Sequence, residues 1–440
     1  MVSKYFGGGE AAHRIGSLAG NRPLASFGSA AARAHNRLEY HIPQKFDQNR
    51  PGYILTTTTH ATSIQNKLPR ASDRPAVVCK VQELDDLVRD PARPASINDW
   101  LYTDSPQLRV HVNNFADATA ITLNWPHTLA DATGLATFMR AWSAIVSGQE
   151  DAVPALTPPG EDYLARLKAS SPTEKWAHSH REISGPGFLY LGLRYALEKL
   201  RFPKEESRIV CVPHTFVKQL HTQAQKDLEA SPDPHKPHFV SESDVLLAWW
   251  VRTVYTVLKP RPSQTIQLIN LFDLRPILRD SYLPSTMSYF GNAFVPAHSF
   301  MTAHRLREEP LFHLAARIRE TLIKERTKEQ VEARATSGRL IDADSTLRLI
   351  GDGGMLLQIC SNLGKTGLFD IDMAGAVKEP IMRSQDMSSK PSFFHCSHNV
   401  PGKSFRDYGL LLGKDGEGNW WLSWCLRAQL WPEIERLLKA

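Results

Sequence analysis

Apolar and polar side chains alternate from residue 118 to 125, Ala118-Thr119-Ala120-Ile121-Thr122-Leu123-Asn124-Trp125, the period of a half-buried strand. The residues that follow, 132–147, carry apolar side chains at helical spacing, with Asp131 placed to cap the helix they predict. Between strand and helix lie Pro126, His127, Thr128, Leu129 and Ala130. His127 therefore falls where a strand stops and the chain turns, a place where a rigid scaffold commonly presents chemistry. A second alternating run, 108–115, predicts a strand paired with 118–125.

The same reading predicts strands over 39–43, 53–59, 77–81, 208–212, 266–271 and 355–362, and a C-terminal hairpin, 408–412 and 420–426, closed by a Gly-rich turn at 414–418. Residues 26–33 fit a helix. Further helices are predicted over 82–88, 163–168, 189–199, 215–226, 244–257, 311–324 and 431–439. Gly185-Pro186-Gly187 reads as a break, Ser243 as the cap of 244–257, and 325–334 as a charged extension of 311–324. Trp249 and Trp250 are assigned to core packing. The acidic, proline-rich stretch 148–159 marks a pocket-lining loop or an inter-domain crossover. Strands and helices alternating in two halves define an α/β chain, with an N-terminal unit over 1–200 (crossover 148–200) and a C-terminal unit over 201–440.

Composition narrows the function more by exclusion. A chain of 440 residues is too long for one ordinary domain, and 42% hydrophobic with 22% charged residues is globular. The net charge of +6 is not gathered into a Lys/Arg run, so no nucleic-acid partner is expected. Five scattered cysteines, Cys79, Cys211, Cys360, Cys396 and Cys425, argue for reduced thiols inside a cell. The first nine residues lack an apolar signal core, and the apolar run 245–251 is too short to cross a bilayer. A cytoplasmic protein with no membrane partner is the expectation. His395-Cys396-Ser397-His398 lacks the second ligand pair that zinc requires, so no metal is expected. Gly351-Asp352-Gly353-Gly354 lacks the Lys-Ser/Thr of a phosphate loop, and no Gly-x-Ser-x-Gly elbow occurs.

A neutral imidazole is the usual general base near neutral pH, provided its orientation is fixed and its surroundings are dry. Asp131, four residues beyond His127, has two possible tasks: to bond the ring, or to pair with a cation elsewhere and brace the loop. The plainer reading, that His127 is one of 17 histidines, is weakened by the strand before it, the capped helix after it and Gly134, which permits close backbone approach.

His127-Thr128-Leu129-Ala130-Asp131 is a His-x-x-x-Asp motif, and the chain resembles the BAHD group of CoA-dependent acyltransferases in its fungal style. The resemblance extends in order through 241–250, the Asp273-Leu274-Arg275 strand end and Tyr289-Phe290-Gly291-Asn292, and covers most of 105–440. Two segments depart from the family. Its Asp-Phe-Gly-Trp-Gly stands here as Asp372-Met373-Ala374-Gly375-Ala376, and only 37 residues precede Leu38, where the family has an opening strand and a long helix.

The resemblance implies two chloramphenicol-acetyltransferase-like lobes of mixed sheets flanked by helices, with an active-site tunnel between them. It implies a monomer that binds acyl-CoA as co-substrate, holds no permanent cofactor, and acylates a hydroxyl or amine of a small apolar molecule of secondary metabolism, acetyl being the expected group. His127 would be the base. Asp131 would pair with Arg275, and Gly134, Asp273, Asn292 and Asp372 would give structural support. Ser361 and Asn362 fall where the family faces the reacting carbonyl. They are candidate oxyanion or substrate contacts, or simply the end of a strand. Asn362 replaces a tryptophan of the family. A second reading, prompted by 372–376 and the short N-terminus, is a member that has lost CoA use and acts as a small-molecule binder or cyclisation catalyst.

Overall fold

The computed structural model describes residues 30–34, 37–101, 103–158, 161–183, 185–337, 349–377, 389–397 and 406–439, with side chains from Ile42 onward. Three sheets organise these residues. Strands β1 (Ala30–Ala34) and β2 (Arg37–His41) form an antiparallel pair, so the helix expected over 26–33 is a strand from Ala30 onward.

Strands β3 (Ile54–Thr59), β5 (Arg109–Asn114) and β6 (Thr119–Asn124) form a second sheet, parallel between β3 and β5 and antiparallel between β5 and β6. Helix α1 (Val81–Val88) lies near one face. Helix α2 (Ala132–Val146) covers the other, burying Phe138 and Trp142 against Val110 and Leu129.

The third sheet has seven strands in the order β4 (Ala76–Lys80), β7 (Glu205–Val212), β12 (Trp420–Arg427), β11 (Tyr408–Lys414), β10 (Leu356–Asn362), β8 (Thr265–Asp273), β9 (Phe294–Thr302). Only β10 runs parallel to its neighbours. Helices α5 (His214–Ala230), α6 (Glu242–Leu258), α9 (Leu311–Glu325) and α11 (Trp431–Lys439) contribute to its largest core, where Trp250 packs on Trp424 and Trp431 at 5.8 and 6.2 Å. The short helices α3 (Ala165–Lys168), α7 (Arg275–Leu278) and α8 (Ala303–Glu308) fill connections. Two mixed sheets with flanking helices form the two-lobed α/β architecture that the resemblance implied. Strand β4 comes from the first half of the chain yet edges the sheet built from the second.

Local chemistry corrects the sequence reading at four points. Gly185-Pro186-Gly187 opens helix α4 (Gly185–Arg201) instead of preceding it, because a first-turn N–H has no acceptor for proline to forfeit. Ser241, not Ser243, caps α6. Its hydroxyl accepts from the Asp244 N–H at 3.3 Å, and Asp244 accepts the Ser241 N–H at 2.8 Å. The charged extension of α9 is a separate helix, α10 (Lys328–Thr336), capped by Thr327. Strand β9 carries Pro296 in its middle, which hid it from the sequence reading. Because β9 is an edge strand, the missing N–H costs no ladder bond on the open side.

Candidate active site

The loop after β6 is tied from within and from across the molecule. The Leu129 N–H donates to the Pro126 carbonyl (2.9 Å) and the Trp125 indole to the Ala130 carbonyl (3.0 Å). From the segment before β9, the Asn292 amide donates to the His127 carbonyl at 2.8 Å. The His127 ring meets Phe294 edge-on, with centroids 6.0 Å apart. The His127 side chain is exposed and faces a cavity of about 2720 Å³ that runs between the two larger sheets. The dry, buried setting expected from the sequence is not present around it.

Asp131, by contrast, is buried. Its carboxylate caps α2 through the Gly134 N–H (2.9 Å) and accepts the Ala293 N–H (2.8 Å). It also takes a two-pronged contact from the Arg275 guanidinium, at 2.9 and 3.1 Å. Both oxygens are thus engaged with the Arg275 side of the molecule. Arg275 reaches further, to the Asp273 carboxylate (2.9 Å) and to the Tyr289 and Gly291 carbonyls. Burial works against its charge, but Asp131 and then Asp273 outweigh that and hold its pKa above the ordinary arginine value. Gly134 makes this approach possible: a Cβ there would stand 2.1 Å from the Phe290 carbonyl oxygen.

Ser361 and Asn362 end β10, with Ser361 in register between Leu271 of β8 and Leu410 of β11, and both line the cavity that His127 faces. The Asn362 side-chain oxygen accepts the Gly364 N–H at 3.0 Å, so it caps the turn that follows. Neighbouring Cys360 is fully buried, and burial pushes its thiol far above the usual range, which leaves it inert as a nucleophile. Asp372 lies outside the cavity wall. It accepts from Ser389 (2.6 Å) and the Ala374 N–H (2.9 Å), and its carbonyl takes the Ser143 hydroxyl. Gly375 lies so close to α2 that a Cβ would meet the Val146 carbonyl oxygen at 2.3 Å. The departure at 372–376 is thus a packing element. His395 bonds Asp85 at 2.9 Å, and His398 lies outside the described residues.

Sequence reasoning missed a cationic group on the same cavity: Arg319, Arg326 and Lys365. Arg319 bonds Asp244 (2.8 Å) and the Ser241 hydroxyl (2.7 Å), and Arg326 stands over the Phe272 ring at 5.8 Å. Burial, then Arg326 and Arg319, lowers the Lys365 pKa. These residues come from α9, the residue after it and the turn after β10, and no spacing along the chain announces that they converge.

The transferase family model matches residues 79–372. The chain is 38% identical to the acetyltransferase adrJ of Penicillium roqueforti over 92% of its own length and 84% of that protein's, and 32% identical to the O-acyltransferase pboC of Aspergillus ustus over 92% and 86%. Its fold is similar to that of F. sporotrichioides TRI101 complexed with coenzyme A and T-2, with a TM-score of 0.63 at 15% identity over 99% of this chain and 92% of that one. The chain belongs to the transferase family and is a CoA-dependent acyltransferase of the BAHD type.

Proposed function

We propose that His127 is the general base for transfer of an acyl group, acetyl by similarity to adrJ, from acyl-CoA to a hydroxyl or amine of a small apolar acceptor. The observation that carries this reading is the division of labour at the motif. Asp131 is consumed by Arg275 and backbone, while His127 is fixed through its own carbonyl and faces the cavity. The imidazole takes the acceptor proton as the acceptor oxygen or nitrogen bonds the thioester carbon. The carbonyl π electrons move onto oxygen, where the Ser361 hydroxyl or the Asn362 amide N–H donates to the oxyanion. Collapse breaks the C–S bond, and the CoA thiolate takes the proton back from the imidazolium. No covalent acyl-enzyme enters this scheme. Arg319, Arg326 and Lys365 supply positive charge for the CoA phosphates.

His127→Ala should lower turnover of acetyl-CoA with the true acceptor by about two to four orders of magnitude. It should leave the CoA-induced rise in unfolding temperature intact. Near-native turnover in the mutant removes His127 as base, and absence of any CoA-induced rise in the native protein favours the reading without CoA use.

A further inference from the structure

Seven of the thirteen large apolar side chains exposed among the described residues lie on one helix, α4. Leu189, Leu193, Leu197 and Leu200, at spacings of four, four and three, form one stripe and are 74, 58, 57 and 79% exposed. The opposite side of the helix holds it to the body through Leu191 and Glu198. The Glu198 carboxylate is taken by Arg194 and by Arg427, the latter at 2.7 Å. Arg201 is the only charged side chain that α4 itself exposes, and exposed Arg181 and Lys204 stand just outside its two ends, with exposed Glu182 next to Arg181. Asp352, beside the first turn, folds its carboxylate back onto the Gly354 N–H. The helix thus offers an apolar face edged by three exposed cations and one exposed carboxylate. Phe188 and Tyr195, on its flank, are exposed and also line the large cavity, so the apolar face of α4 adjoins the site.

We propose that α4 is an interfacial helix that docks on an anionic lipid surface, and that apolar acceptors pass from the lipid beside Phe188 and Tyr195 into the cavity. An apolar face flanked by Lys and Arg is the pattern that lies in the plane of a charged bilayer, leucines in the acyl boundary and cations among the headgroups. Seventeen residues of helix span about 25 Å, a length that lies along the surface. No helix among the described residues is long and apolar enough to cross a membrane, and docking needs none. The sequence expectation of no membrane partner rested on the missing signal core and the lack of a spanning segment, neither of which bears on a surface helix. A second copy of the chain seated on the same stripe would cover the mouth at Phe188 and Tyr195, whereas lipid would feed it. The inference stands independently of the role given to His127.

The experiment is co-sedimentation of the full chain with phosphatidylcholine vesicles, with and without phosphatidylserine, at low and high salt. The native protein is expected to pellet with the phosphatidylserine vesicles and to be partly released by salt. Leu189→Glu/Leu193→Glu/Leu200→Glu, at three exposed positions, is expected to lower partitioning by about a hundredfold or more while leaving circular dichroism and unfolding temperature unchanged. Native protein that stays in the supernatant, or a triple variant that pellets equally, overturns the proposal. So does a native dimer that the variant turns into a monomer and that ignores vesicles, which assigns the face to a second copy. If the variant misfolds, hydrogen exchange of the native protein decides. Residues 185–201 must gain protection on phosphatidylserine vesicles, and protection that appears only elsewhere overturns the proposal.

Discussion

His298 lies buried on β9, in contact with Gln267 at 3.0 Å and beside His178 and Arg334. Burial first, then the charges of Arg334 and His178, lowers its pKa well below 6.5. The folded state therefore keeps the ring neutral at a pH where the unfolded chain, titrating near 6.5, binds a proton. A depressed folded pKa means that the stability is fully present above the unfolded value and is lost as pH falls below it. The contribution falls by up to about 1.4 kcal/mol per pH unit. Urea unfolding at stepped pH should show a shallower acid limb in His298→Gln than in the native protein, whatever the offset between them. Equal slopes would take the titration away from His298. His127 is the counterpart: an exposed ring whose removal should register in turnover and hardly in the urea midpoint. His127 was legible because strand, turn and capped helix surround it in sequence. His298 was not, because Pro296 broke the strand pattern that would have placed it.

At the scale of elements, the start of α2 and the segment 289–293 are drawn together by a carboxylate–guanidinium pair, by the hydrogen bonds of Asn292 and Ala293, and by one missing side chain. Breaking a buried pair of this kind costs about 3–5 kcal/mol, since the partner is left charged and unpaired. Asp131→Ala and Arg275→Ala should each cost about that, and the double mutant less than their sum, because coupled residues are not additive. Strict additivity in chemical unfolding would mean that the pair contributes nothing. Gly134→Ala should lower stability by about 1–3 kcal/mol or more, because its Cβ would displace the Phe290 carbonyl. Unfolding curves superimposable on the native ones would show that the two segments separate freely. Strands and helices with a clean period, such as β6 and α2, were read from the sequence nearly to the residue. Errors fell where a local choice is decided by hydrogen bonds the period does not encode. Ser241 and Ser243 are equally good caps until Asp244 selects the first. Likewise Gly185-Pro186-Gly187 is as suitable for opening a helix as for ending one.

For the whole molecule, the cavity is a shared surface that neither sheet forms alone: β6 and α2 wall one side, and β8, β10 and α9 the other. CoA held there should stabilise the fold as a ligand of the native state only, by about 2.7 kcal/mol at a hundredfold excess over its Kd. Reversing charge with Lys365→Glu should raise the KM for acyl-CoA and flatten its salt dependence while kcat changes little. An unaltered KM would place the phosphates elsewhere. The strand order β4-β7-β12-β11-β10-β8-β9 carries a further consequence, for synthesis. Strand β12 (Trp420–Arg427) lies in the interior of the sheet between β7 and β11. On the ribosome, β4 and β7 emerge hundreds of residues before the strand that must join them to the rest. The nascent chain therefore carries an unpaired β7 edge until β12 has emerged. Sheet closure joins strands far apart in sequence, so it has high contact order and is slow and exposed to aggregation. Deletion of β12 would part β7 and β4 from β11 and so divide the sheet.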